Sequence, residues 1–280
     1  MSIPKRTVMI TGCSDGGLGA ALAVAFHNAG LEVYATARNP AKMAVVASHG
    51  IKTLPLDVLS AASIAACVEK LPSLDILVNN AGAGYHMPMS DLDIDEAKRL
   101  FDLNVWAHLA VTKAMLPLLM KSKGMIVNHT SSSSVAALPF QGAYNASKAA
   151  MSMFSDTLRL ELRPFDIRVA NVKTGVVSSR FFDNKIHTTA LPKDSLYQPA
   201  KTIVEKVMGS EGLKGAEGTE PEVWAEQVVK DLLRSKPPMT VWRGAQAGLI
   251  SWGTILPSWL LDFMARQMTG FDEVERLVRS

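Results

Sequence analysis

The sequence predicts an α/β fold, a doubly wound parallel sheet of about seven strands with helices on both faces, followed by an apolar C-terminal extension. Three observations carry this. Short β-branched or apolar runs alternate with longer helical stretches along the 280 residues, the pattern of repeated βα units. The run Thr11-Gly12-Cys13-Ser14-Asp15-Gly16-Gly17-Leu18-Gly19 holds four glycines in nine positions and joins the first strand to an alanine-rich helix. With 48% hydrophobic residues the chain can bury a large core.

In order, residues 7–10 read as the first strand and 18–29 as the helix that follows the glycine-rich turn. Residues 32–36, 52–56, 74–79, 124–129, 167–172 and 239–242 read as further strands, short and rich in Val, Ile and Thr. Helices are expected over 60–71, 91–120 and 143–162. Such a sheet places its ligand crevice beyond the carboxyl ends of its strands. One domain is expected over residues 1–243, with 180–218, punctuated by Gly and Pro, as a substrate lid. Residues 244–280 form the extension. No internal repeat is visible.

Composition narrows the function classes. The net charge is +3 and basic residues are scattered, so no nucleic-acid footprint is expected. Cys13 and Cys67 make neither a disulfide framework nor a metal-ligand spacing, and the six histidines form no HExxH pair, so no metal site is expected. The opening residues Met1-Ser-Ile-Pro-Lys-Arg lead straight into a strand without an apolar leader segment. A cytoplasmic location follows as the expectation.

Two features carry chemistry. The glycine-rich turn before a helix can present backbone N–H groups to an anionic pyrophosphate at the positive end of that helix. Tyr144 and Lys148, four residues apart in a helix, project from one face, so an ammonium lies near a phenol and favours its ionised form. A second Tyr-x-x-x-Lys pair, Tyr197 and Lys201, encloses Pro199, which prevents a regular helix from aligning it.

Taken with Leu56-Asp57-Val58, Asn79-Asn80-Ala81-Gly82, Asn104, Ser131 and the Tyr144 pair, this loop resembles that of the short-chain dehydrogenase/reductase family, from about residue 7 to about residue 179. The resemblance implies a Rossmann-type fold. It implies that Gly12, Ser14, Gly17, Leu18 and Gly19 cradle the cofactor phosphates, that Asp57 and Val58 meet the adenine, and that Asn80, Ala81 and Gly82 border the cofactor. Ser131, thirteen residues before Tyr144, polarises the substrate carbonyl, with Ser132, Ser133 and Ser134 as alternative registers. Tyr144 transfers the proton, Lys148 holds the nicotinamide ribose, and Asn104 supports a water-mediated relay to the lysine. Val177 and Ser179 stand on the carboxamide side. The chain departs from the family pattern twice: the glycine loop has one extra residue, leaving the aim of Ser14 and Asp15 open, and Thr174 stands where Pro usually precedes Gly175.

At the end of the second strand, Ala37 stands where an acidic residue would accept hydrogen bonds from an NAD ribose, and Arg38 follows it. An arginine there suits a 2′-phosphate, so NADPH/NADP+ is the expected cofactor. The expected function is reduction of a ketone to a secondary alcohol. Oxidation by the same site, or nucleotide binding without turnover by a regulator, are the alternatives. Within the family the sequence is similar to fungal NADPH-dependent 1-acyldihydroxyacetone-phosphate reductases and to 17-beta-hydroxysteroid dehydrogenase-type members. Apolar ketones or alcohols, lipid-like, polycyclic or from natural-product biosynthesis, are therefore the expected substrates. A homodimer or homotetramer through the helix over 91–120 and the next is implied by the resemblance.

Between Arg243 and Asp262 no charge occurs, and Trp252, Trp259, Leu249, Ile250 and Phe263 crowd the extension. Three readings stand: a peripheral membrane contact, a wall of an apolar pocket, or packed core and subunit interface.

Overall fold

The computed structural model describes residues 5–180, 190–209 and 218–280. Residues 181–189 and 210–217 of the expected lid over 180–218 therefore lie outside the described residues. Seven parallel strands form one sheet: β1 (Thr7–Thr11), β2 (Glu32–Ala37), β3 (Lys52–Pro55), β4 (Ile76–Asn79), β5 (Met125–Ser131), β6 (Arg168–Thr174) and β7 (Thr240–Arg243). Their order is β3-β2-β1-β4-β5-β6-β7. The direction of winding reverses between β1 and β4, and a crevice opens there because the connections leave the two carboxyl ends toward opposite sides.

The helices are α1 (Leu18–Asn28), α2 (Ala44–Ser48), α3 (Ala61–Glu69), α4 (Ile94–Phe101), α5 (Ala107–Ser122), α6 (Gly142–Glu161), α7 (Lys201–Met208), α8 (Pro221–Leu232), α9 (Ala247–Gly253), α10 (Ser258–Thr269) and α11 (Phe271–Arg279). Both sheet faces are covered, which is why the central strands are apolar without alternation. On one face Phe26 of α1 and Trp224 of α8 are fully buried against Val8, Ile10 and Val127. On the other, α3 and α5 bring Ile64, Val111 and Met115 onto Met9, Leu77 and Ile126. Burying one such side chain contributes on the order of 1.5–3 kcal/mol. A third cluster at the carboxyl ends gathers Tyr85, Leu100, Phe140, Tyr144, Val204 and Val274, so it ties the extension to the crevice.

The helix expected over 91–120 is one continuous helical stretch, Ile94–Ser122, in which α4 and α5 are joined by a π turn, Asp102–Trp106. Asp93 sets the start: its carboxylate accepts the N–H groups of Asp95 and Glu96 at 2.8 and 2.9 Å, an N-cap that satisfies two otherwise unpaired donors. Ile94–Ser122 is long and apolar enough by composition to cross a membrane, yet Leu100, Val105, Met115 and Leu119 are buried inside this fold. In the extension, α9 and α10 are 7 and 12 residues long, short of membrane-spanning length.

Candidate active site

A cleft of about 1530 Å3 runs across the carboxyl ends of the strands. Gly12, Ser14, Gly17, Leu18, Arg38, Asp57, Val58, Asn80, Ala81, Gly82, Ser131, Tyr144, Lys148, Val177 and Ser179 all line it. Two expected members do not. Gly19 is buried beneath the cradle, where a Cβ would stand 2.4 Å from the Gly12 carbonyl oxygen and 2.5 Å from Asn80 Nδ2. Its glycine serves close packing of loop against loop. Asn104 is fully buried behind Lys148 and likewise stays off the cleft wall.

The extra loop residue is absorbed by a turn in which Gly17 N–H donates to the Ser14 carbonyl at 3.0 Å. Gly16 takes φ +77°, and the Arg180 side chain lies directly over it while Arg180 N–H donates to the Gly16 carbonyl at 3.1 Å. Asp15 N–H donates to the Lys42 carbonyl at 2.7 Å. The first turn of α1, whose N–H groups have no intrahelical partners, opens on the cleft at Gly17 and Leu18. Arg38, Asn39 and Lys42 stand at the same end. A loop that leaves no room for Cβ at Gly19, a helix N-terminus and two cations beside it fit a phosphorylated dinucleotide.

The NNAG segment divides its work. Asn79 is buried within the sheet and its Nδ2 donates to Thr112 Oγ1 and Asn128 Oδ1, both at 2.9 Å, so it ties β4 to α5 and β5. Asn80 turns the other way: its Nδ2 donates to the carbonyls of Thr11 and Gly12 at 2.7 and 3.1 Å, clamping the glycine loop. Asp57 forms an Asx turn through Leu59 N–H at 3.1 Å, which holds the β3 exit.

At the far end, Ser131 closes β5 and its hydroxyl hydrogen-bonds the Tyr144 phenol. Ser132, Ser133 and Ser134 follow in a 3₁₀ turn, and Ser132 and Ser133 also line the cleft, while the hydrogen bond to the Tyr144 phenol comes from Ser131. Tyr144 and Lys148 rise from α6, with Lys148 Nζ 5.8 Å from the phenol ring centre and donating to the His129 carbonyl at 3.2 Å. The expected lowering of the phenol by this ammonium does not emerge. Burial pushes Tyr144 up to about 12, opposed only by the Ser131 hydrogen bond, and burial draws Lys148 down to about 8. Desolvation outweighs attraction across that separation. Asn104 Oδ1 accepts from Ala83 N–H at 3.0 Å, and its Nδ2 donates to the Ala83 carbonyl and Ser147 Oγ at 3.0 and 3.1 Å. Its side chain thus braces the NNAG exit against α6. The other pair is no match: Tyr197 caps a 3₁₀ turn containing Pro199 and packs edge-on to Phe140, while Lys201 begins α7.

The apolar extension completes the walls. Leu249, Ile250, Leu261, Met264 and Met268 line the cleft from α9 and α10. The pocket-wall reading of the extension therefore fits, and Trp252, Ile255 and Trp259, 74%, 76% and 68% exposed, are not packed into the core of this chain. His108 and His129 lie buried around Lys148, and burial together with that cation lowers them to about 4 and about 3.

The chain belongs to the short-chain dehydrogenase family, whose family model matches residues 6–190, and it is an oxidoreductase of that family. It is 53% identical over 277 residues to a short-chain dehydrogenase/reductase of Pestalotiopsis microspora, covering 98% of each chain. It is 38% identical over 208 residues to an NADPH-dependent 1-acyldihydroxyacetone phosphate reductase of Schizosaccharomyces pombe, covering 71% of this chain and 70% of that one. Among solved structures, a short-chain dehydrogenase from Streptomyces avermitilis superposes with a TM-score of 0.76 at 27% identity, covering 98% of both chains.

Proposed function

We propose that this protein is an NADPH-dependent ketoreductase that converts an apolar ketone to a secondary alcohol. The observation that carries the reading is the Ser131–Tyr144 hydrogen bond, set over Lys148 in the same cleft as the glycine-rich loop. NADPH, when bound, supplies hydride to the carbonyl carbon. The 2′-phosphate is assigned to Arg38 and Lys42, and the similarity to an NADPH-dependent reductase supports that choice. Lys148 holds the cofactor ribose in this reading.

The chain's own groups handle the oxygen and the proton. Ser131 and Tyr144 donate hydrogen bonds to the carbonyl oxygen, and these strengthen as negative charge develops there. Tyr144 then transfers its proton to that oxygen. A phenol raised to about 12 by burial stays protonated in the neutral range and so holds the proton to be donated. Lys148 restores the proton, with Asn104 fixing the backbone at Ala83 beside it. The Leu249, Ile250 and Met264 wall favours a bulky apolar ketone.

The outward face of α9, α10 and the turn between them, with Trp252, Ile255, Trp259 and Phe263 exposed, is read as a peripheral contact with a lipid–water interface. Self-association is assigned to the outer faces of α5 and α6, where Met120 and Met153 are exposed beside Trp106 of the π turn. The reading is tested by NADPH consumption over a panel of apolar and small ketones. Turnover of apolar ketones is expected, and saturable NADPH binding without turnover of any ketone would instead support the regulator.

A further inference from the structure

A histidine inside β5 accounts for the threonine at the start of the loop after β6. His129 Nδ1 lies 2.8 Å from Asn80 Oδ1, and its Nε2 lies 2.8 Å from Thr174 Oγ1. The ring stacks on Trp224 with centres 5.2 Å apart, which fixes its plane.

The direction of each bond follows from its neighbours. Asn80 Nδ2 donates to the Thr11 and Gly12 carbonyls, so its Oδ1 faces the imidazole and can only accept. His129 Nδ1 therefore carries the hydrogen. A neutral ring then leaves a lone pair on Nε2, and the Thr174 hydroxyl must donate to it. Burial, reinforced by Lys148 and His108, holds the ring neutral. The His129 carbonyl meanwhile accepts from Lys148 Nζ.

We infer that His129 is a positioning residue that couples the two ends of the cofactor cleft through one directed chain of hydrogen bonds, from the Thr174 hydroxyl through the imidazole and the Asn80 amide to the glycine-rich loop. The chain crosses the carboxyl ends of β6, β5, β4 and β1, four neighbouring strands. It ties the loop carrying Val177 and Ser179 to the loop carrying Gly12 and Ser14, and it shares its central residue with the hydrogen bond that holds Lys148. The inference rests on the reading that this cleft holds a nicotinamide dinucleotide. Its consequence is that ordering of the phosphate end and of the nicotinamide end is energetically linked.

Two measurements on the full chain test it. Nitrogen chemical shifts of histidine-labelled protein are expected to show His129 in the neutral Nδ1–H form down to pH 5. The Nε2–H form, or an ordinary titration between pH 6 and 7, would overturn the chain. Thr174→Val removes the donor while keeping the shape of the side chain. It is expected to weaken NADPH binding about tenfold, as for a buried acceptor left unpaired, with kcat also reduced and Thr174→Ser recovering most of both losses. A lower Tm with unchanged NADPH Kd and kcat would mean a merely structural bond and would overturn the coupling. If the unaltered protein binds no NADPH, the functional reading fails, while the tautomer measurement still tests the chain.

Discussion

Both carboxylate oxygens of Asp15 lie 3.2 Å from the backbone nitrogen of Val45, so the acidic residue of the glycine-rich turn faces the amino end of α2. The carboxylate is thereby engaged by a backbone donor beside Lys42 and Arg38, the cations that line this end of the cleft. A guanidinium–phosphate pair is charge-assisted and contributes roughly 1.5–3 kcal/mol, or about ten- to a hundredfold in affinity. The ratio of kcat/KM for NADPH over NADH is expected to be at least of that order. The Ala37→Asp, Arg38→Ala double variant should move it toward NADH. An unchanged ratio would make Arg38 an ordinary surface charge.

The extension is expected to set substrate size. Met264 and Ile250 line the cleft from α10 and α9, so Met264→Trp narrows it without touching Ser131 or Tyr144. KM for a bulky ketone should rise about tenfold or more, since overfilling a packed site costs about 1–3 kcal/mol, while a small soluble ketone is spared. Equal loss on both substrates would argue against a substrate wall.

How much of this was legible in sequence follows from what local patterns encode. The seven strands, their parallel sheet and the Tyr144–Lys148 pair could be read because each rests on short-range spacing. The π turn at residues 102–106 was not read because the chain stays helical and apolar through it, and only its one extra residue per turn marks it. Asp15 was ambiguous because its partner, Val45, is 30 residues away. His129 gave a weak signal, a histidine within an apolar strand, and its meaning depends on Asn80 and Thr174, which only the sheet order brings together. The extension was open among three readings because its apolar residues divide between cleft and solvent, a division set by tertiary placement and not by composition.

Lys148 gives a stability signature with a definite sign. Its folded pKa, about 8, lies below the ordinary value of 10.5, so the unfolded chain binds more protons between those limits. Stability contributed by this group therefore rises with pH through that window, and the penalty for burying the ammonium is fully present below pH 8. Lys148→Met should raise the unfolding free energy at pH 7 relative to pH 10.5, on the order of 1–3 kcal/mol, while abolishing turnover. A pH-independent difference between the two proteins would contradict the buried, depressed lysine.

The central claim is that Tyr144 delivers the proton in an NADPH-dependent ketone reduction, and single-turnover kinetics of Tyr144→Phe test it most directly. Loss of a general acid typically lowers the chemical step about 10²–10⁴-fold, so that loss is predicted, with NADPH affinity little changed. Tyr197→Phe, which removes the hydroxyl of the misaligned pair, should leave the chemical step intact. Near-normal hydride transfer in Tyr144→Phe would contradict the account.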